Sequence, residues 1–85
     1  ARAGVFDAHT GERLGMATHP IKMFRPQAEY AEHSSDDIWQ AVGIATREAV
    51  GKAGVAPQSV VGIGFDATCS LVVLGEGDRP LTVSP

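Results

Sequence analysis

The alternation of apolar and polar residues predicts two paired strands at the start of the chain. In residues 1–8, Ala3 and Val5 fall on one face of an extended segment, which is the two-residue period of a β-strand. The turn-forming residues that follow include Gly11, which can adopt a positive φ. A return strand is then predicted over residues 13–21, so the chain is expected to open with a hairpin.

After a surface crossing, a long helix is predicted to begin at Ser34. Its hydroxyl can cap free backbone N–H groups, and the aspartates Asp36 and Asp37 lie at the positive end of the helix dipole. The apolar positions that form the expected buried stripe are Ile38, Val42, Ala45 and Ala49. Gly54 is well placed to end the helix in a left-handed conformation.

The last third of the chain predicts three further strands. Residues 60–65 are apolar without alternation, which is typical of a central strand covered on both faces. Residues 71–74 form the next predicted strand, residues 76–79 a turn, and residues 81–83 the beginning of another strand. The predicted element order is therefore β-β-α-β-β-β.

Composition restricts the function classes. The chain has 85 residues and a net charge of −3, with no basic run, so a nucleic-acid partner is not expected. One cysteine excludes an internal disulfide and indicates the cytoplasm. No apolar stretch is long enough to span a membrane, so no membrane partner is expected. A domain of this size buries only about 60–65% of its unfolded surface, so marginal stability is expected.

Four blocks of sequence stand out because of their order along the chain. They are Ala1-Arg2-Ala3-Gly4-Val5-Phe6-Asp7, Leu14-Gly15 through Pro20-Ile21, His33-Ser34-Ser35-Asp36-Asp37-Ile38-Trp39, and the segment from Val61 to Leu74 that contains Asp66-Ala67-Thr68-Cys69-Ser70. Together they resemble the FGGY family of sugar kinases, and the last block resembles its pentulose (ribulose/ribitol) branch. The first three blocks are weak individually, so the resemblance depends on the fourth and on the order of all four.

The resemblance implies a fold and an activity. The fold is a ribonuclease H-like half-domain, as in actin-like ATPases and sugar kinases, here without the first strand and its phosphate loop. Residues 1–85 are then a single truncated N-terminal domain. The family transfers the γ-phosphoryl of ATP to a hydroxyl of a pentulose or polyol, with Mg²⁺ and an aspartate base. Both the phosphate loop and the base are expected outside these residues, so no catalytic residue and no tightly bound cofactor is assigned to this chain.

The same resemblance implies a sugar-binding wall after residues 60–65. It assigns sugar contacts to Ala67, Thr68 and Cys69, with Ser70 as a weaker candidate. Asp66 is a further candidate, because a carboxylate can orient a sugar hydroxyl. The competing interpretation is structural: Asp66 would cap nearby N–H groups, the hydroxyl residues would form a turn, and Cys69 would fill space. A nucleophilic role for Cys69 is not expected, because no basic residue flanks it.

Two other functions remain open from the residues alone. A ribonuclease H-like nuclease would hold two metal ions with carboxylates, for which Asp7, Glu48 and Asp66 lie on suitable elements, although the acidic balance argues against it. A non-catalytic interaction fragment is the third possibility. Because the first strand of the implied fold is missing, its neighbour would have an unpaired edge, and self-association of the chain is expected.

Overall fold

The computed structural model describes residues 1–68 and 70–81. Its regular elements are strand β1 (Arg2–Phe6), strand β2 (Arg13–Thr18) and helix α1 (Ser35–Ala53), followed by short 3₁₀ turns at Pro57–Ser59 and Glu76–Asp78. The two strands pair and the helix packs against them. The first half of the predicted order, β-β-α, is therefore confirmed.

The hairpin is antiparallel, with Ala3 opposite Ala17 and Val5 opposite Gly15. A register shift follows Val5. In the turn, Gly11 adopts a φ of 76°, as its position predicted, and β2 ends at Thr18 rather than continuing to residue 21. The hairpin thus presents one face to the helix and leaves the other open.

Local signals fix both ends of α1. The Ser34 hydroxyl accepts a hydrogen bond from the backbone N–H of Asp37 (3.3 Å), which satisfies one of the free donors in the first turn. At the other end Gly54 has a φ of 69° and its N–H donates to the carbonyl oxygens of Val50 and Gly51. The predicted start and end of the helix are both confirmed.

The core is built from small residues because the helix lies close to the hairpin. A Cβ atom added to Gly15 would lie 2.6 Å from the carbonyl oxygen of Ala49 and 2.6 Å from the nitrogen of Ala53. The buried apolar residues of the described chain are Ala17, Ala41, Ala45 and Ala49. The predicted stripe is correct at Ala45 and Ala49, but its larger members, Ile38 and Val42, are only half-buried. Ala41 is buried instead.

The crossing before the helix is tied to the helix start by side-chain hydrogen bonds. Phe24 and Glu32 exchange two backbone hydrogen bonds (2.7 and 2.9 Å), which close a surface loop. The peptide N–H of Lys22 donates to Asp37 Oδ2 (2.7 Å), and His33 Nδ1 lies 3.1 Å from the Lys22 carbonyl oxygen. Asp37 therefore also anchors the crossing, in addition to its position in the first helical turn.

The prediction of a central strand over residues 60–65 is wrong for this structure. The segment forms no strand, and Val61, Ile63 and Phe65 are 86%, 79% and 80% exposed. A strand needs a hydrogen-bonded neighbour, and one that is apolar on both faces needs cover on both. In the described part of the chain, the hairpin and one helix do not provide these neighbours.

The region after residue 70 is a partial hairpin. Within the described residues, the segment 71–74, predicted as a strand, forms a bridge between Leu74 and Pro80, and its Val73 carbonyl oxygen accepts from the N–H of Leu81 (2.8 Å). The predicted turn is present, with Gly77 at φ 70° and Asp78 at φ 58°. Most of the strand predicted over residues 81–83 lies outside the described residues. Within the described ranges, no helix has the length and apolar character needed to cross a bilayer.

Candidate functional site

An open cleft lies where the segment after α1 returns to the hairpin. Its volume is about 760 Å³, and its lining residues are Ala1, Arg2, Thr18, His19, Pro20 and Asp66. The ends of the two strands are held together there, because His19 and Ala1 exchange hydrogen bonds between their main-chain groups (2.8 and 2.6 Å). The cleft thus joins one candidate site residue to the start of β1 and the end of β2.

Acidic, basic and uncharged polar residues line this cleft. The acidic residue Asp66 and the basic residue Arg2 both line it. His19 Nδ1 lies 2.9 Å from the carbonyl oxygen of Pro20, which can only accept, so Nδ1 carries the hydrogen. The lining therefore offers both donors and acceptors of hydrogen bonds, which is the combination that a polyhydroxylated molecule requires.

The candidate residues after Asp66 lie in exposed, irregular chain. Thr68 Oγ1 and Ser70 Oγ are 3.4 Å apart, and the N–H of Ser70 donates to the carbonyl oxygen of Thr68 (2.8 Å). Ala67 is exposed beside them. Cys69 lies outside the described residues. The structure therefore brings Thr68 and Ser70 together and places Asp66 separately at the cleft.

The structural interpretation of Asp66 as a strand-end cap has no strand to act on here, because residues 60–65 form none. No N–H group of the described residues donates to its carboxylate. By contrast, Asp7 accepts from the backbone N–H groups of His9 (2.8 Å) and Thr10 (3.0 Å). Both bonds lower the pKa of Asp7 below its ordinary value of 3.8, and the bond from His9 has the larger effect. Asp7 is thus a turn residue, whereas Asp66 makes no such hydrogen bond within the described residues.

The carboxylate group expected of a metal-dependent nuclease is not assembled. Asp7 follows the last residue of β1, whereas Asp66 lies beside the first, so the five-residue strand separates them by roughly 17 Å. No cluster of three acidic, histidine or cysteine residues capable of holding a metal is present among residues 1–68 and 70–81. The nuclease interpretation is therefore not supported by the geometry.

The described residues also do not fit a nucleotide phosphate. The natural place for one is the start of α1, where free N–H groups point outward. Here Ser34 caps that end, and Asp36 and Asp37 place two carboxylates in its first turn, where they would repel a phosphate. The expectation that the phosphate loop lies elsewhere is compatible with this arrangement.

Sequence reasoning did not find Arg2, Thr18 and His19 as neighbours of Asp66. These contacts join positions more than 45 residues apart in the sequence, and no local spacing indicates them. The same holds for the bond between Lys22 and Asp37, which joins the surface crossing to the first turn of α1 across 15 positions. Only the hydroxyl pair Thr68 and Ser70, two residues apart, was apparent from the sequence.

Comparison with known proteins identifies the family. Residues 1–84 match the N-terminal domain of the FGGY family of carbohydrate kinases. The FGGY carbohydrate kinase domain-containing protein of Homo sapiens is 43% identical over 83 residues, covering 98% of this chain and 14% of that protein. A D-ribulokinase of Saccharomyces cerevisiae is 47% identical over 74 residues, covering 87% and 10%. A glycerol kinase of Citrifermentans bemidjiense is 32% identical over 81 residues, covering 95% and 16%.

The chain therefore belongs to the FGGY family of carbohydrate kinases, as part of the family's N-terminal domain. That domain has the sugar kinase, or actin-like ATPase, fold, and the unit β1–β2–α1 is a small α/β portion of it. The chain spans only 10–16% of the length of these three relatives. Because they include both a ribulokinase and a glycerol kinase, the comparison supports the family and leaves the pentulose branch unassigned.

Proposed function

We propose that this chain is part of a cytoplasmic, ATP-dependent kinase that phosphorylates a hydroxyl of a pentulose or polyol such as ribulose or ribitol. The observation that carries the proposal is the 47% identity over 74 residues with a protein named D-ribulokinase. That stretch covers 87% of the chain. The fourth sequence block, residues 61–74, resembles the same branch of the family.

The proposed contribution of this chain is part of the sugar-binding wall. Its members are Asp66, Ala67, Thr68, Cys69 and Ser70. Support comes from their placement: Asp66 lines an open cleft, and the Thr68 and Ser70 hydroxyl oxygens are 3.4 Å apart. A pair of adjacent hydroxyl groups can donate to and accept from neighbouring hydroxyls of a polyol.

The acceptor is proposed to be larger than glycerol. Ala67, Thr68 and Ser70 carry small side chains at the proposed wall, which leaves volume for a five-carbon chain. Small residues position a substrate by shape and by a few hydrogen bonds, so discrimination against a shorter polyol would come from the contacts that it fails to make.

ATP and Mg²⁺ would be used by the whole enzyme and held outside the residues described. ATP supplies the phosphoryl group, and the metal offsets the charge of its phosphates. The residues of this chain would orient the acceptor hydroxyl and exclude water beside it. We expect the 85-residue chain alone to bind ATP weakly and to transfer no phosphoryl group, because the capped, acidic start of α1 offers no phosphate cradle.

A panel of acceptors tests the proposal. The complete kinase containing this segment would be given ATP and Mg²⁺ with D-ribulose, ribitol, L-xylulose or glycerol, and acceptor-dependent ADP release would be measured. The expected result is a kcat/KM for ribulose or ribitol at least about tenfold above that for glycerol, a difference of about 1.4 kcal/mol in transition-state binding. A preference for glycerol, or no turnover with any acceptor, would contradict it.

A further inference from the structure

Two side chains at the start of α1 hold the backbone of one residue in the crossing. The N–H of Lys22 donates to Asp37 Oδ2 (2.7 Å), and His33 Nδ1 lies 3.1 Å from the Lys22 carbonyl oxygen. A carbonyl oxygen can only accept, so His33 Nδ1 carries the hydrogen. Lys22 is therefore fixed at both of its backbone polar groups, by residues 15 and 11 positions away in the sequence.

The residue held in this way lies next to the cleft. Thr18, His19 and Pro20 line the cleft, and Lys22 follows Pro20 by two positions, a span of at most about 7 Å. The carbonyl oxygen of Pro20 accepts from His19 Nδ1 (2.9 Å). A path of hydrogen bonds and two residues of backbone therefore connects the helix start to the imidazole ring of His19.

Asp37 makes the stronger of the two bonds to Lys22. Its carboxylate is an ionised acceptor, and hydrogen bonds to charged groups are shorter and stronger than neutral ones. The Asp37 side chain is half-buried, and its own N–H donates to Ser34 Oγ (3.3 Å), so the helix fixes its position. The ring of Pro20 restricts its φ, so a displacement of Lys22 would be transmitted towards the cleft with little local relaxation.

We propose that Asp37 is a positioning residue for the acceptor site. By holding the N–H of Lys22 it keeps Pro20 and the His19 ring in place at the cleft, and His33 is a second support. The inference rests on the proposed function, because it takes the cleft beside Asp66 as part of the site that receives the acceptor. Asp37 acts through these neighbours on the orientation of the acceptor, to which the rate of transfer is sensitive.

Substitutions at two neighbouring aspartates of the complete kinase test the proposal. Asp37→Ala removes the acceptor of the Lys22 N–H and is expected to raise the KM for the sugar or polyol at least about fivefold, with the KM for ATP unchanged. Asp37→Asn keeps a side-chain oxygen and should stay within about twofold of wild type. Asp36→Ala is the matched control, because Asp36 lies in the same helical turn, is exposed and makes no hydrogen bond within the described residues. It should leave both KM values unchanged.

A double-variant cycle tests the path through His19. His19→Ala alone is expected to raise the KM for the sugar or polyol about as much as Asp37→Ala does. In the His19→Ala background, Asp37→Ala should add less than about a twofold change, because both substitutions remove the same support from the cleft.

Three results would each overturn the proposal. They are an equal rise in the sugar KM in Asp36→Ala and Asp37→Ala, which would indicate a general effect of charge at the helix start; an equal rise in the KM for sugar and for ATP; and independent effects of Asp37→Ala and His19→Ala that multiply. The comparison uses whichever acceptor of the panel above the wild-type kinase phosphorylates best. A preference for glycerol would therefore contradict the proposed function and still decide the role of Asp37.

Discussion

At the scale of single residues, glycine and alanine determine how closely α1 approaches the hairpin. The backbone of the helix contacts the strand directly at Gly15, and the buried helix positions are Ala41, Ala45 and Ala49. Such a core contains little apolar volume, so its stability depends on close fit rather than on the area buried. Substitutions that add even one methyl group at this contact should therefore lower the stability of the fold.

Gly15→Ala is expected to lower the free energy of unfolding by about 1–3 kcal/mol, because the new Cβ would force helix and strand apart. Gly51→Ala is the matched control. A Cβ at Gly51 meets nothing within 4 Å, so this change should raise stability by about 0.5–1 kcal/mol through helix propensity alone. Both would be measured by urea unfolding at one chain concentration. Equal effects of the two substitutions would contradict the close approach.

The stability of the hairpin turn depends on pH through the carboxylate of Asp7. Its folded pKa lies below the ordinary 3.8, because the N–H groups of His9 and Thr10 donate to the carboxylate. The stabilisation is therefore complete above the unfolded value and is lost as the pH falls through the folded one. The protection factors of the His9 and Thr10 amides, which compare exchange with the intrinsic rate at the same pH, should fall below about pH 4. In Asp7→Asn, where the acceptor does not titrate, this acid step should be absent; its persistence would exclude Asp7 as the cause.

At the scale of elements, α1 is defined by signals at its own ends. Ser34 caps the start and Gly54 ends the helix in the left-handed conformation. Ser34→Ala should cost about 1 kcal/mol of stability, since a first-turn N–H loses its acceptor. Ser35→Ala, one residue inside the helix, should be nearly neutral. Thermal unfolding followed by helix ellipticity compares them, and a larger loss at Ser35 would contradict the assignment of the cap.

These elements show which parts of the fold could be predicted from the sequence. The hairpin and helix were predictable because their signals, such as Gly11, Ser34 and Gly54, lie within a few residues of the structure they determine. Residues 60–65 were predicted as a strand and form none, because strand formation depends on partners that a local pattern cannot supply. The same distinction applies to the candidate site. The hydroxyl residues Thr68 and Ser70 are neighbours in the sequence, whereas the cleft beside Asp66 is formed by residues that are distant in the sequence.

At the scale of the whole molecule, the chain combines a folded β-β-α unit with a long apolar segment. The radius of gyration is 15.8 Å, against about 12 Å for a compact chain of this length. The exposed segment leads directly into Asp66 and the residues after it. Pairing of the segment with a neighbouring strand would fix the position of these residues, so completion of the sheet and formation of the sugar-binding wall are coupled in this account.

The most direct test of the proposed sugar-binding wall is a pair of substitutions at Cys69 in the complete kinase, with separate measurement of KM for sugar and for ATP. Cys69→Phe should raise the sugar KM at least about tenfold, because a large ring would occupy the space of the acceptor. It should leave the KM for ATP nearly unchanged. Cys69→Ser should be mild, since the thiol is proposed to be a spacer. Loss of turnover in Cys69→Ser together with an unchanged sugar KM in Cys69→Phe would contradict the account.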